Sequence, residues 1–221
     1  MGQINWTEFL YFFSVLIISI TLHEFSHCWA NEALGDDTPR QQGRMTLNPL
    51  AHLDLMGTIM IFVSAISGFG IGWGKAAQFN PQNFRHPARD ITLSALAGPV
   101  SNLLQMLAWA SLGLLVTPLI ANPAVQVLSH LCEYGIFVNA GVAVFNMIPI
   151  YPLDGHWVLA FFLPPSWRPF FMHPAWGIVF VALVVVPGLY LAVLYPIIHP
   201  ARQWLAMATW HITGWPTETV W

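Results

Sequence analysis

The stretch Thr21-Leu22-His23-Glu24-Phe25-Ser26-His27 decides how the chain is interpreted, because it puts ionisable side chains inside an apolar segment. No charged residue occurs between positions 9 and 22. Residues four apart lie on the same face of a helix, so His23 and His27 are predicted to bind one metal ion. Glu24 lies about 100° further round the helix, where it can reach a water activated by that metal and act as a general base.

A chance match to this motif is the alternative, since H-E-x-x-H spacing also occurs on ordinary helices. Such matches are expected mainly on polar surface helices. Ionisable side chains inside a membrane-spanning segment are energetically costly and usually functional. The apolar surroundings of His23 and His27 therefore favour a metal site.

The composition of the whole chain is that of a membrane protein. Of its 221 residues, 56% are hydrophobic and 8% are charged, whereas about 25% of residues are charged in soluble domains. The net charge of −3 provides no basic surface for nucleic acid. Cys28 and Cys132 are too few for a disulfide framework. We therefore predict an all-α polytopic membrane protein embedded in the lipid bilayer.

Apolar segments long enough to cross a bilayer recur along the chain. We predict full spans at about 6–34, 91–119 and 124–148, and a last span at 175–198 followed by an interfacial helix near 202–212. With the shorter segment described next, the total is four to six membrane segments. All belong to one membrane-embedded domain, 1–221, with a catalytic core at about 7–165 and the C-terminal span and interfacial helix at 174–213.

The segment 57–72 is apolar but only about 16 residues long, which is short for a full crossing. Basic residues flank it on both sides: Arg40, Arg44, Lys75, Arg85 and Arg89. The positive-inside rule puts both flanks in the cytoplasm, which a re-entrant loop satisfies and a single crossing does not. Between the first two full spans we therefore predict a re-entrant loop or small β element that ends in the glycine-rich stretch 68–75.

A third metal ligand is expected, because catalytic zinc sites use three protein ligands and keep one position open. Asp154 is the best candidate, since Pro149 and Pro152 break the third span just before it and deliver the carboxylate to the membrane edge. The alternative is that Asp154 caps the short helix that starts at Gly155.

Other ligand candidates are less well placed: Asp90, Glu133, His52 and Asp54. The first two follow no such helix break. The last two lie at the exit of an Asn-Pro turn at 48–49, where a role in fixing the loop is favoured over metal binding.

Asn102 is a polar residue inside the second apolar span, in the stretch Ala97-Gly98-Pro99-Val100-Ser101-Asn102. A buried amide in a membrane needs a hydrogen-bond partner. A hydrogen bond between helices and a role at the site explain this residue equally well.

Six stretches of the chain, taken together and in order, resemble the site-2 protease family of intramembrane zinc metalloproteases. They are HEFSH at 23–27, NPLAHLD at 48–54, GWGK at 72–75, NFRHPARD at 83–90, AGPVSN at 97–102 and NMIPIYPLDG at 146–155. H-E-x-x-H alone is a weak signal, but together with N-x-x-P-x-x-P-L-D-G it is highly specific. The resemblance covers most of residues 7–165.

The resemblance implies one Zn²⁺ per chain held by His23, His27 and Asp154, with Glu24 as the catalytic base. It also implies that the substrate backbone is bound by Asn146 and by four residues of the loop, Gly72, Trp73, Gly74 and Lys75. Asn102 is a further candidate for that role.

The activity that the resemblance implies is hydrolysis of peptide bonds in or near the transmembrane segments of other membrane proteins, in regulated intramembrane proteolysis or in the clearance of signal remnants. The protein is then a multi-pass protein of the cell membrane with its active site near the cytoplasmic side. No PDZ or CBS domain is recognised, so the chain resembles a compact member of the family.

The chain departs from the family pattern at two places. His156 stands where a second glycine usually follows L-D-G, which affects the turn beside the metal. Ala76-Ala77-Gln78-Phe79 replaces the usual P-V-P-V, which affects the fit of the substrate.

The rival hypothesis is a catalytically inactive or non-proteolytic metal-binding membrane protein, such as a chaperone or a transporter. An inactive relative is expected to have lost Glu24 or a ligand, and none is lost. A transporter is expected to show internal repeats, and we find none.

Overall fold

Three long helices form the centre of the structure, which is a computed structural model. It describes residues 5–54, 57, 59, 74–75, 78–185, 192–193 and 195–213. Helix α1 spans Trp6–Leu34, α2 spans Pro87–Val116 and α3 spans Pro123–Asn146. All three are long and apolar enough to cross a membrane, and the protein is therefore an integral membrane protein built from helices.

These three are the only such helices among the described residues, fewer than the four to six membrane segments predicted. The difference falls on the segment 57–72 and on the last predicted span. Most of the first segment and residues 186–191 of the second lie outside the part of the chain that the structure describes.

The ends of α1 follow from local hydrogen bonding and match the predicted span. Asn5 Oδ1 accepts from the backbone N–H groups of Thr7 and Glu8 at 3.1 and 3.3 Å, so it caps the first turn. Gly35 ends the helix with a φ of +113°, in the left-handed region that favours glycine, and its N–H donates to the Glu32 carbonyl at 3.1 Å.

Helix α2 begins at Pro87, earlier than the predicted Ile91. Proline fits the first helical position, where no N–H is required. Asp90 Oδ2 accepts from the His86 N–H at 2.8 Å and so stabilises the same turn. Charge at positions 89–90 suggested a later start, but capping interactions extend the helix beyond its apolar part.

Small residues bring the three helices close together. Val15, Leu16 and Ile20 of α1 pack with Val138 of α3. A second cluster joins α2 to α3, and its buried members are Met106, Ala110, Ile136 and Ala140. A Cβ built on Gly135 would lie 2.2 Å from Trp109 Cγ, so the large ring fits only because position 135 has no side chain. The motif-bearing face of α1 therefore lies in the core of a three-helix unit.

Further helices follow in the C-terminal part of the chain. Helix α4 spans Asp154–Phe162 and contacts α2, α5 spans Trp176–Val185, and α6 spans Tyr195–Thr213 and contacts α2 and α3. Phe180 of α5 and Ile198 of α6 join one apolar cluster with Ile148 and Leu153. The predicted interfacial helix at 202–212 is thus the continuation of a helix that begins at Tyr195.

The segments that flank the predicted re-entrant loop lie side by side. Leu53 and Gly74 form an isolated antiparallel bridge, and the Lys75 N–H donates to the His52 carbonyl at 2.8 Å. Buried Arg44 donates from Nη1 to the Lys75 carbonyl at 2.7 Å. In the described residues the small β element is therefore one bridge rather than a pair of strands.

Buried Asp36 forms hydrogen bonds with residues at both ends of the connection between α1 and α2. Its carboxylate accepts from the Asn80 N–H at 2.9 Å and from Asn83 Nδ2 at 2.7 Å, and it also accepts from Thr38. Burial raises the pKa of this carboxyl, but the hydrogen bonds outweigh that effect and hold the pKa below its usual value. The connection between α1 and α2 is therefore anchored through a charged Asp36.

Candidate metal centre

Three predicted ligands converge at the core of the three-helix unit. His23 Nε2 lies 3.1 Å from His27 Nε2, and Asp154 Oδ2 lies 3.2 Å from the former and 3.3 Å from the latter. Tetrahedral zinc with bonds of about 2.0–2.1 Å places neighbouring ligand atoms about 3.3–3.4 Å apart. The nearly equilateral triangle of donor atoms therefore has the dimensions of one face of a zinc coordination shell.

The hydrogen bonding of His27 shows which of its ring nitrogens is available to a cation. His27 Nδ1 lies 2.7 Å from the Ser94 carbonyl oxygen, which can only accept, so Nδ1 carries the proton. In the neutral ring Nε2 then presents a lone pair to the other two donor atoms. Asp154 Oδ2 is buried and makes no hydrogen bond to a protein donor. Lone pairs that face one another this closely repel unless a cation lies among them, which is either a metal ion or a proton shared with the carboxylate. Two imidazole nitrogens and one carboxylate oxygen are ligands that zinc uses, so the donor set fits a metal ion.

Gly98 is a residue that the sequence argument missed. A Cβ built on it would lie 2.3 Å from His27 Nε2 and 2.6 Å from His23 Cε1. Helix α2 can therefore pack across both imidazole rings only with glycine at this position. The signal in the sequence was a glycine inside an apolar span, which is too common in membrane helices to point to a site by itself.

Glu24 lies next to His23 on α1 and is buried. A Cβ built on Gly74 would lie 3.3 Å from Glu24 Oε1 and 2.8 Å from Ile20 Cγ2. The glycine thus lets the backbone at the end of the predicted re-entrant loop approach the carboxylate closely. The loop end therefore contacts the predicted base, which is the neighbour of the ligand candidate His23 in the chain.

Asn102 lies directly behind His23, in a buried cluster that two further residues complete. Asn102 Oδ1 is 2.6 Å from His23 Nδ1, and Nδ2 donates to Ser19 Oγ and to Asn139 Oδ1, both at 2.9 Å. Asn102 is fully buried and both ends of its amide are bonded to neighbouring helices, as expected for a hydrogen bond between helices. Ser19 and Asn139 were not predicted. Each is a polar residue inside an apolar span, and Ser19 lies one helical turn from His23, so the sequence did contain a signal for them.

The other predicted substrate-binding residues are placed less completely. Asn146 ends α3, and its Nδ2 donates to the Val142 carbonyl at 3.1 Å. Gly74 and Lys75 are joined to residues 52–53 as described above, whereas Gly72 and Trp73 lie outside the described residues.

The weaker ligand candidates have structural partners instead. His52 Nε2 lies 2.7 Å from the Thr46 carbonyl, and Asp54 Oδ1 accepts from the Gly57 N–H at 2.8 Å, which agrees with a role in fixing the loop. Asp90 pairs with Arg89 at 2.8 Å and Glu133 with His130 at 3.5 Å. Among the described residues, the only group of three or more acidic, histidine or cysteine side chains with converging donor atoms is the one at His23.

His156, the departure beside the metal, is accommodated by the turn that precedes α4. Its Nδ1 lies 2.5 Å from the Leu153 carbonyl, and its buried ring packs between Tyr151 and Trp157. The histidine in place of glycine therefore adds a hydrogen bond and ring contacts that stabilise the turn carrying Asp154.

The chain is similar to several bacterial proteins. It is 36% identical over 203 residues to the "Putative zinc metalloprotease YwhC" of Bacillus subtilis, a match that covers 87% of this chain and 88% of the relative. It is 32% identical over 175 residues to the "Putative zinc metalloprotease Rip2" of Mycolicibacterium smegmatis, covering 78% of this chain and 66% of that protein. The protein of the same name from Mycobacterium tuberculosis is 33% identical over 150 residues.

No family model matches the chain, and no solved structure matches it. The relatives are named as zinc metalloproteases, and the donor triangle at His23, His27 and Asp154 has the dimensions that zinc requires. Zn²⁺ is accordingly the cofactor. The extent of the similarity, together with the motifs that carry it, shows that the chain belongs to the site-2 protease family of intramembrane zinc metalloproteases.

Proposed function

We propose that the protein is an endopeptidase that hydrolyses peptide bonds in or near the transmembrane segments of other membrane proteins, with zinc held by His23, His27 and Asp154. The observation that carries this proposal is the convergence of the three donor atoms within 3.3 Å of one another inside the three-helix unit. A donor set of two imidazoles and one carboxylate leaves a fourth position open, as catalytic zinc sites do.

Glu24 is the general base in this proposal. Bound zinc supplies Lewis-acid chemistry, in that it acidifies a water molecule and polarises a peptide carbonyl. Glu24 takes the proton of the attacking water and passes it to the nitrogen of the leaving amine. Its position next to His23 in the chain supports this role. So does its closeness to the loop end, since a Cβ built on Gly74 would lie 3.3 Å from Glu24 Oε1.

The end of the re-entrant loop is proposed to hold the substrate in an extended form. A helical substrate hides its carbonyls in its own hydrogen bonds, so it must unwind before it is cut. The antiparallel bridge between Leu53 and Gly74 supports this role, since β-pairing requires an extended backbone. A peptide added along the second edge of the backbone at Gly74 and Lys75 would have its backbone groups satisfied. Asn146, where α3 gives way to the turn before Asp154, is the proposed side-chain contact to the substrate.

The active site is proposed to lie near the cytoplasmic face of the cell membrane, in a single membrane-embedded domain. The bridged pair Leu53 and Gly74 brings the two ends of the segment 54–73 together, whereas a crossing would separate them by about 30 Å of hydrocarbon. A re-entrant course is therefore favoured, and the basic residues on both flanks favour the cytoplasmic side.

Replacement of Glu24 by glutamine tests the proposal. Glu24→Gln keeps the shape of the side chain but removes the base, so we expect full zinc content with loss of proteolysis. Glu32→Gln is the matched control: it lies on the same helix, and its carboxylate pairs with Arg40 outside the site.

The readout is the membrane proteome of cells that carry each variant, in which the uncut substrate accumulates only with Glu24→Gln. Identical proteomes for wild type and Glu24→Gln would favour the non-proteolytic alternative.

A further inference from the structure

A fully buried hydrogen-bond network links His23 to a backbone carbonyl on another helix. Ser19, Asn102 and Asn139 each have 0% of their surface exposed, and they come from α1, α2 and α3, respectively. Asn139 Nδ2 donates to the Gly135 carbonyl at 2.8 Å. The Ser19 hydroxyl donates to Asn139 Oδ1 at 2.9 Å. The chain of contacts runs from Gly135 through Asn139 and Asn102 to His23.

The direction of every hydrogen bond in this network follows from its carbonyl end. A backbone carbonyl can only accept, so the atom of Asn139 that faces the Gly135 oxygen must be its NH₂ group. Asn139 therefore turns its oxygen towards Asn102. The atom of Asn102 that faces this oxygen must then be its own NH₂ group, which also donates to Ser19.

The orientation of Asn102 in turn decides the protonation of His23. With its NH₂ group directed at Asn139, Asn102 presents its oxygen to His23 Nδ1 at 2.6 Å. That contact is favourable only if Nδ1 carries the ring proton. The neutral ring then has its lone pair on Nε2, which is the atom that faces His27 and Asp154.

We propose that the Gly135 carbonyl, acting through Asn139 and Asn102, fixes the tautomer of His23 in which Nε2 is free to bind the metal. Asn102 and Asn139 are thus positioning residues that act on the site through His23. The proposal builds on the zinc site of the proposed function. Partners of this kind typically change metal affinity by about 10–100-fold when they are removed.

His27 provides an internal comparison. Its Nδ1 meets the Ser94 carbonyl directly, so its tautomer requires no intermediate side chain. A change at Asn139 should therefore alter His23 and leave His27 as it was. A general loosening of the helix packing would affect both rings, because both lie on α1 under Gly98.

The tautomer can be read without any metal. We would record ¹⁵N spectra of the histidine rings in zinc-free full-length protein, at a pH where both rings are neutral, with His23→Gln used for assignment. The proposal predicts that His23 is protonated at Nδ1 in the wild type. A His23 ring that carries no proton on Nδ1 would overturn it.

The relay through Asn139 is tested by Asn139→Leu, which has nearly the same shape but neither donor nor acceptor. Asn102 is then free to turn its NH₂ group towards His23 Nδ1 and drive the proton to Nε2. We expect zinc affinity, measured by chelator competition, to fall about 10–100-fold, and only the His23 signals to shift. Asn139→Thr, whose hydroxyl bonds back to its own helix, replaces the leucine variant if that variant does not fold.

A double substitution separates the relay from simple packing. In the double variant Asn102→Asp/Asn139→Leu, both oxygens of the carboxylate at position 102 can only accept hydrogen bonds. This side chain therefore cannot present a donor to His23 in either orientation. We expect zinc affinity to return to within a few-fold of the wild type. Ser101→Ala is the matched control, since the Ser101 hydroxyl bonds to its own helix at the Gly98 carbonyl.

The outcomes distinguish this proposal from the metal site itself. If wild-type protein binds zinc and Asn139→Leu binds it equally well with an unchanged His23 spectrum, the relay is wrong and the metal site stands. If the double variant stays as weak as Asn139→Leu, the asparagine acts through packing and the relay is again wrong. Failure of the wild type to bind zinc would refute the metal site, whereas the spectrum of the zinc-free protein would still decide the tautomer.

Discussion

Substitution of Gly98 by alanine is the sharpest test of how the metal centre is built. The added carbon would lie 2.3 Å from His27 Nε2, whereas an ordinary van der Waals contact begins at 3.4 Å. One of the two must move by about 1.1 Å, which is half the length of a zinc–nitrogen bond of about 2.0–2.1 Å. Because His23 Cε1 would be 2.6 Å from the same carbon, a rotation of one ring does not relieve the clash.

The expected cost can be estimated for either way of relieving this clash. If the rings move, a displacement of about 1 Å at the reacting centre lowers activity about 100-fold or more. If α2 moves instead, overpacking costs about 1–3 kcal/mol of folding free energy. We therefore expect Gly98→Ala to lose zinc affinity and activity even where the protein remains folded.

The assay compares zinc content after purification, zinc affinity by chelator competition, and thermal unfolding. Val100→Leu is the matched control, because it adds one carbon to the same helix at a half-exposed position. Wild-type zinc affinity and activity in Gly98→Ala would refute the claim that close packing of α2 on the two rings shapes the site.

Asp154→Ala should weaken zinc binding by more than about 100-fold, since losing a ligand should exceed the effect of losing an outer partner; full zinc occupancy would remove Asp154 from the ligand set. Gly74→Ala should lower activity but retain zinc, because the new carbon presses on Ile20 and on Glu24 Oε1; unchanged turnover would argue against the loop end as part of the site. Single cysteines at Gln42 and Gln82, in a background without Cys28 and Cys132, should react with an impermeant thiol reagent from the same side; labelling from opposite sides would mean a true crossing. The charged Asp36 carboxylate stabilises the fold at pH values above about 3.9, its unfolded pKa, and this stabilisation is lost as the pH falls through the lower folded pKa. Asp36→Asn should cost roughly 1–3 kcal/mol near pH 7, and between pH 7 and pH 3 it should lose less stability than the wild type in thermal unfolding.

The sequence alone determined the membrane class, the three central helices and the ligand set that comes together in the structure. Apolar length and scarcity of charge define membrane spans without reference to any partner, because the bilayer is the same solvent for every segment. His23 and His27 share a face because of helix geometry, which is a local property. Asp154 could be singled out because two prolines end a helix wherever they occur.

The sequence predicted helix boundaries less accurately than helix positions, because the boundaries depend on individual capping hydrogen bonds. The start of α2 at Pro87 depends on the hydrogen bond from the His86 N–H to Asp90, which competes with the signal of the charged residues themselves. The last helix runs from Tyr195 to Thr213 and joins part of the predicted span to the predicted interfacial helix, and its Ile198 packs with Ile148 and Leu153.

Only the tertiary structure decided what surrounds the ligands. The role of Asn102 stayed open in the sequence because an amide in an apolar helix can serve a neighbour or a substrate, and its neighbours come from helices far away in the chain. The same is true of Gly98, Ser19 and Asn139, whose contacts join residues separated by 37–120 positions. Sequence spacing places side chains along one helix, but the face that each helix turns towards the others is set by how their small and large residues interlock.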